Sequence, residues 1–186
     1  QHHDAVRRRQ GDVREHRQGA GGIGALDCGM EVSVGREKDP TGNRRILETL
    51  TARLPEWFAH GESNKHYAKQ AEILEAWVAR IGGRPGGLLL LKRHSAVSAE
   101  IYWLGVDPDH HRQGIGKALI GALERRLREE KIRFLFVMTL HPEDPYEPYR
   151  RTRLFYERMG FALALSSGQA LVTSSSDPLA YYLKPL

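Results

Sequence analysis

The sequence predicts a mixed α/β (α+β) domain, and three observations predict it. Short apolar runs of strand type are interleaved with stretches of helical spacing. A glycine-rich turn, Gly82-Gly83-Arg84-Pro85-Gly86-Gly87, separates two apolar runs as in a hairpin. The residues Ile115, Ala118, Leu119, Ala122, Leu123 and Leu127 form a clean amphipathic stripe.

The elements follow in order. Residues 1–29 crowd glycine and arginine, and their scattered apolar residues show neither helical nor strand period. They read as a disordered tail or upstream extension, with Met30 as the true start of a domain over 30–186. Glu31 opens a strand with Val32 and Val34 on one face. Asp39-Pro40-Thr41-Gly42 is a turn signal. Ile46, Leu47, Leu50, Leu54 and Trp57 recur at helical spacing, with Pro55 marking a break. A second helical stretch falls within 62–73. Trp77–Arg80 and Leu88–Leu91 flank the glycine turn, and a single helix over 66–81 competes with this hairpin. Glu100–Val106 reads as a strand closed by Asp107-Pro108. Its alternation puts Glu100, Tyr102 and Leu104 on one face and Ile101, Trp103 and Gly105 on the other. The amphipathic helix follows, then a buried strand over Arg133–Leu140. Pro142, Pro145 and Pro148 stiffen a loop. Thr152–Met159 is helical, stopped by Gly160, and Phe161–Leu165 and Leu179–Leu183 are closing strands.

Composition narrows the function classes. At 186 residues the chain suits one domain, and 40% hydrophobic with 27% charged is ordinary for a globular protein. The longest apolar run, Leu88–Leu91, is far short of a membrane span. One cysteine, Cys28, excludes a disulfide framework and a multi-thiolate zinc cluster. His94, His110 and His111 lack a metal-ligand spacing. The reading is a cytoplasmic protein, monomer or homodimer, with no metal and no membrane contact. Its net charge of +5 favours an anionic partner without choosing one.

Three segments invite a phosphate. Gly19-Ala20-Gly21-Gly22-Ile23-Gly24 matches a dinucleotide-binding pattern but follows no buried strand. Gly116-Lys117 fails as a Walker motif, because His111 and Ala118 stand where Gly and Ser or Thr are required. The third segment, His111-Arg112-Gln113-Gly114-Ile115-Gly116-Lys117-Ala118-Leu119, follows a strand and opens the best helix. Glycines let backbone N–H groups approach an anion, and the helix start favours negative charge. A glycine-eased helix start with a solvated basic flank is the competing reading.

HHRQGIGKAL after LGVDP resembles the pyrophosphate-binding signature of the GNAT superfamily of acyl-CoA-dependent N-acetyltransferases. Arg153-Leu154-Phe155-Tyr156-Glu157-Arg158-Met159-Gly160-Phe161 is similar to the family's late helix, which ends FYxxxGF. The resemblance covers roughly 30–186. It departs at His111, where the family has Arg or Gln, and at Arg150-Arg151-Thr152, where the usual Asn or Ala is missing. It implies a mixed, mostly antiparallel sheet flanked by helices, with a splayed central strand pair holding acyl-CoA. It further implies acetyl transfer from acetyl-CoA to a primary amine, directly within a ternary complex.

Such transfer needs a neutral amine, a held carbonyl and a proton for the departing thiolate. By the resemblance, Glu100 is the general base; an exposed strand-edge carboxylate is the alternative, and sequence leaves open which face meets substrate. The Leu104-Gly105-Val106 backbone is expected to pair with the pantetheine arm, with the Val106 N–H reaching the thioester carbonyl. Residues 111–118 are expected to hold the diphosphate. Tyr156 is the candidate acid, since a phenol pKa of ~10 is close to that of a thiolate; a packed core aromatic is the alternative. Phe155 is expected to pack beside it at the cofactor. Cys28 lies outside the motifs and is no nucleophile.

The acceptor is a small-molecule or peptide amine. Residues 43–73 and 141–150 are expected to shape its cleft, with Glu56, Glu62, Glu143, Asp144 and Glu147 suited to a cationic amine. Two other readings compete: a degenerate acyl-CoA sensor, and a nucleic-acid module using Arg7-Arg8-Arg9 with Arg125, Arg126 and Arg128. Interspersed Glu124, Glu129 and Glu130 make the second unfavourable.

Overall fold

The computed structural model describes residues 23–25, 31–59, 61–167 and 178–186. They form strands β1 (Ile23–Ala25), β2 (Glu31–Glu37), β3 (Glu75–Ile81), β4 (Arg84–Arg93), β5 (Ser98–Val106), β6 (Phe134–Leu140), β7 (Ala162–Ser167) and β8 (Leu179–Pro185). The helices are α1 (Pro40–Arg53), α2 (Gly61–Ala71), α3 (Ile115–Glu129) and α4 (Glu147–Arg158). The strands make one sheet in the order β1-β2-β3-β4-β5-β6-β8-β7. Every neighbouring pair is antiparallel except β5 and β6, which run parallel.

Local chemistry sets these elements. Pro40 occupies the first turn of α1, where its missing N–H costs nothing, so the turn signal is a helix start. The helix stops at Arg53, and Leu54 to Phe58 form a connector. Gly82 and Gly83 have φ of +55° and +81°, the left-handed pair of a two-residue hairpin turn, and the hairpin displaces the competing helix. α4 begins at Glu147, five residues earlier than expected. Pro148 sits in its first turn, so a residue that looked like a loop stiffener is a helix starter.

The tail expectation needs one correction. Ile23–Ala25 pair with Glu31–Ser33 and cap the open edge of β2, whose unpaired N–H and C=O groups would otherwise face solvent. The rest of the tail, with Cys28 and Arg7-Arg8-Arg9, lies outside the described residues. Ile23-Gly24, the end of the dinucleotide-like pattern, is strand rather than the helix start that pattern requires.

Helices cover both faces of the sheet. On one face α3 packs across β2 to β5 and α4 packs on β6, burying Leu119, Leu123, Leu89, Ile101, Val137 and Tyr156. On the other, α1 and α2 bury Leu47, Leu50, Leu88, Leu90 and Trp103. Adjacent residues of β4 thus feed opposite cores, as strand alternation requires.

β5 breaks that alternation. Leu90 opposes Trp103 and Leu91 opposes Ile101, so Tyr102 is an extra residue, a β-bulge. Ile101 consequently faces α3 while Trp103 faces α1 and α2, although simple alternation put them together. Glu100, Tyr102 and Trp103 all fall on the α1/α2 side, and Leu104 on the α3 side.

Candidate active site

The parallel pair parts in mid-strand. β5 and β6 are paired from Ser98↔Phe134 to Ile101↔Val137 only, yet β5 runs on to Val106 and β6 to Leu140. Past the fork, the β5 backbone from Trp103 to Val106 pairs with β4 on one edge and has no β6 partner on the other. An open edge of main-chain N–H and C=O groups in the middle of a sheet can take an extended chain as an added strand.

The 111–118 segment stands at the end of β5. Asp107 accepts a hydrogen bond from the Asp109 N–H and starts a short 3₁₀ turn over Pro108–His110. Arg112 and Gly114 then take φ of +63° and +81°. Backbone alternating into the left-handed region makes successive N–H groups converge, an anion-binding arrangement. Ala118 makes the first helical bond to the Gly114 carbonyl, leaving the N–H groups of Ile115, Gly116 and Lys117 without intrahelical acceptors. A Cβ on Gly114 would meet nothing, so the space over the loop is open. Arg112 and Lys117 have no ion-pair partner among the described residues, and their charge is free for an anion.

Two glycines also admit close packing. A Cβ on Gly116 would lie 3.1 Å from Phe155 Cζ, so Gly116 admits α4 against α3. A Cβ on Gly105 would lie 2.3 Å from the Trp103 ring, which folds over it. His111 donates from Nε2 to the Val106 carbonyl at 2.8 Å and meets the Trp57 ring edge-on at 6.1 Å. Its ring braces the end of β5 rather than reaching over the loop. The Gln113 side chain likewise turns back, donating to the Asp109 carbonyl. In this segment the Arg112 and Lys117 side chains make no ion pair among the described residues, unlike the turned-back His111 and Gln113.

Glu100 lies beside the fork, its side chain 3% exposed. Burial raises its pKa above the ordinary carboxylate value; the His94 hydrogen bond and the Lys92 charge pull the other way. His94 Nε2 is 2.7 Å from Glu100 Oε2. Sequence reasoning considered His94 only as a metal ligand. Its position across the β4–β5 turn was a usable signal, but the pairing depends on strand register. Tyr102 lies alongside, 2.7 Å from His66 Nε2, with its pKa pushed up to about 12 by burial and by Tyr67 and Glu100. Glu100 opens into a pocket of about 360 Å³ formed by β4, β5, β6, β7 and β8. A larger cavity of about 700 Å³ between α1 and α2 contains neither Glu100 nor any residue of 111–118.

The adjacent aromatics of α4 exchange their expected burial. Tyr156 is 5% exposed and packs on Phe155 and Phe161 at 5.3 and 5.5 Å, while Phe155 is half-buried over Gly116. Burial raises the Tyr156 pKa, and its hydroxyl has no hydrogen bond among the described residues. Three residues earlier, buried Arg153 donates to the carbonyls of Leu140, Pro142 and Asp144, tying the 141–146 loop to α4. At the helix start, Trp57 Nε1 donates to Thr152 Oγ1 at 3.0 Å and Tyr149 donates to the Trp57 carbonyl. The α1–α2 connector is thereby held against α4 and His111.

The acidic residues expected to form a cationic-amine cleft are engaged locally. Glu56 pairs with Arg151, Glu62 with Lys65, Glu147 with Arg150 and Glu143 with His141. Asp144 accepts from the Tyr146 N–H. On α3, Arg126 pairs with Glu129 and Glu130, and Arg128 with Glu124, so two of the three helix arginines of the nucleic-acid reading are engaged within the helix.

The sheet is forked at its parallel pair, and the helix beyond the fork opens on backbone N–H groups without intrahelical acceptors. Residues 72–163 match the family model for the acetyltransferase (GNAT) domain, and the chain carries a domain of that family. The fold is shared with a GNAT-family structure from Desulfovibrio desulfuricans, at TM-score 0.70 and 19% identity over 83% of this chain and 98% of that one. It is shared with the ribosomal-protein-S18-alanine N-acetyltransferase of Escherichia coli, at TM-score 0.64 and 19% identity over 83% and 93%. A GNAT-family acetyltransferase from Elizabethkingia anophelis with acetyl-CoA bound matches at TM-score 0.60 and 13% identity over 83% and 98%. Comparison with curated proteins finds no match.

One further observation tests the fit of an acyl-CoA. Thr139 lies past the fork on the α4 face of β6, and its buried hydroxyl lacks a hydrogen-bond partner among the described residues. A buried hydroxyl left unpaired costs free energy, and a polar arm between β5 and β6 would relieve that cost. Cradle, open strand edge and orphan hydroxyl together suit a diphosphate joined to an amide-containing chain.

Proposed function

We propose that the protein moves an acetyl group from acetyl-CoA to a primary amine by direct transfer within a ternary complex. The observation that carries this reading is the fork at Ile101/Val137, with the 111–118 cradle at one end of the open strand and buried Glu100 beside its root. The backbone of 112–118 with Arg112 and Lys117 would hold the diphosphate. Leu104, Gly105 and Val106 would pair with the pantetheine arm, and Phe155 would border it. Bound acetyl-CoA supplies an acyl thioester as the electrophile.

The chain's own groups then act on protons. Glu100 accepts a proton from the incoming ammonium; its raised pKa brings it nearer to neutral pH, where a base is most effective. His94, a third exposed, connects the buried carboxylate to solvent and returns it to the ionised state. The Val106 N–H polarises the carbonyl. Tyr156 is protonated at rest across the working range; it delivers its proton to the departing thiolate and is re-protonated by the second proton that the attacking nitrogen sheds as the amide forms.

The test is free-thiol release from acetyl-CoA with a panel of amines, run as initial rates in both substrates. Intersecting lines and no acetylated protein by mass are expected. Parallel lines with a stable acetyl-protein would refute direct transfer. Acetyl-CoA binding without thiol release from any amine would refute the enzyme reading.

A further inference from the structure

The pocket at Glu100 is built for one charge. Its floor is that carboxylate, and its walls are Phe136, Met138, Leu165, Tyr181 and Leu183. Among the described residues no second Asp or Glu lines it. The other ionisable groups facing Glu100 are Lys92, His94, Tyr102 and Tyr67, and Lys92 lies over the Tyr102 ring at 5.2 Å. The acids elsewhere around the cleft are held by Arg151, Lys65, Arg150 and His141.

We infer that the acceptor is a small monoamine carrying a compact apolar or aromatic body, and not a polycation or a polypeptide. This rests on Glu100 as the base of the proposed reaction. One ammonium finds one carboxylate. A second ammonium in the same pocket would be desolvated against apolar walls with no counter-charge, beside a lysine that repels it. About 360 Å³ is near the lower end of the ~300–1,000 Å³ usual for small-molecule sites, and the apolar lining is typical of them. The wall residues come from β6, β7 and β8 and face the body that carries the amine. Apolar burial of that body supplies the discrimination.

The experiment compares kcat/KM for 2-phenylethylamine, spermidine and a hexapeptide with a free N-terminal alanine, at saturating acetyl-CoA and equal pH. The expected result is a kcat/KM for 2-phenylethylamine at least about tenfold above either other amine, the discrimination an apolar pocket gives for a well-fitted group. Equal or better turnover of spermidine or of the peptide would overturn the inference while leaving the acetyltransferase reading intact. Thiol release with none of the three but with another amine of the panel would overturn the inference alone; release with no amine at all, in protein that binds acetyl-CoA, would overturn both.

Discussion

His94 Nε2 and Glu100 Oε2 are 2.7 Å apart, and the two side chains differ tenfold in exposure, 31% against 3%. On the proposed mechanism the covered carboxylate exchanges its proton through this neighbour. His94→Gln keeps a polar partner and removes the imidazole that relays a proton in the proposed mechanism. We predict that this variant lowers turnover at pH 7 by about tenfold or more, within the range of general acid–base contributions. Exogenous imidazole should restore part of the loss. Turnover against pH with and without imidazole checks it; a full-rate variant would leave His94 as a brace only.

Glu100→Gln should lower turnover by ~10²–10⁴-fold at neutral pH, with partial recovery at high pH as amine arrives already neutral. The same variant has a stability signature. Glu100 binds its proton more tightly folded than unfolded. At pH well below ~4.3 both states are protonated and the carboxyl costs the fold little. As pH rises from there, the unfolded state ionises first and stability falls, until the folded pKa is passed. The substitution removes this loss. Its Tm gain should be small at pH 4 and largest at pH 8, as measured by thermal melts across that range.

Tyr156→Phe should lower turnover by about 10²-fold or more at every pH from 6 to 9, because the buried phenol does not ionise in that interval. The fold should not suffer. The ring keeps its contacts with Phe155 and Phe161, and the lost hydroxyl has no partner to abandon. A Tm at or above that of the parent, with the slower rate, separates an acid from a packing aromatic.

The two cradle glycines should fail differently. Gly114→Glu places bulk and negative charge in the open space over the loop and forces a side chain into φ of +81°, at a strain of roughly 1–2 kcal/mol. Calorimetric titration with CoA should show binding lost in a folded protein. Gly116→Ala should instead lower Tm by driving a methyl against Phe155. Phe155→Leu in the same chain should recover part of that loss, a non-additivity expected of touching residues.

Much of the fold was legible because its signals are local. The α3 stripe, the Gly82-Gly83 turn and the Gly160 stop at the end of α4 each lie within a few residues of one another. The bulge at Tyr102 was not legible, since it exists only as a register between Leu90–Leu91 and Ile101–Trp103. The same register decides which face Glu100 occupies and brings His94 to it. The order of burial of Phe155 and Tyr156 depends on α3, where Gly116 leaves room for one ring. Pro148 reads equally as loop or first helical turn until the helix beyond it is seen.

β8 sits between β6 and β7, although it follows both in the chain. During synthesis, β7 therefore emerges with nothing to pair against, and β6 has one edge bare, until residues 179–185 are made. Tyr181 and Leu183, which wall the Glu100 pocket, arrive with that same strand. A ribosome-bound chain stalled before them would carry Glu100 and residues 111–118 yet lack two walls of the Glu100 pocket. That pocket is completed only when β8 enters the sheet between β6 and β7.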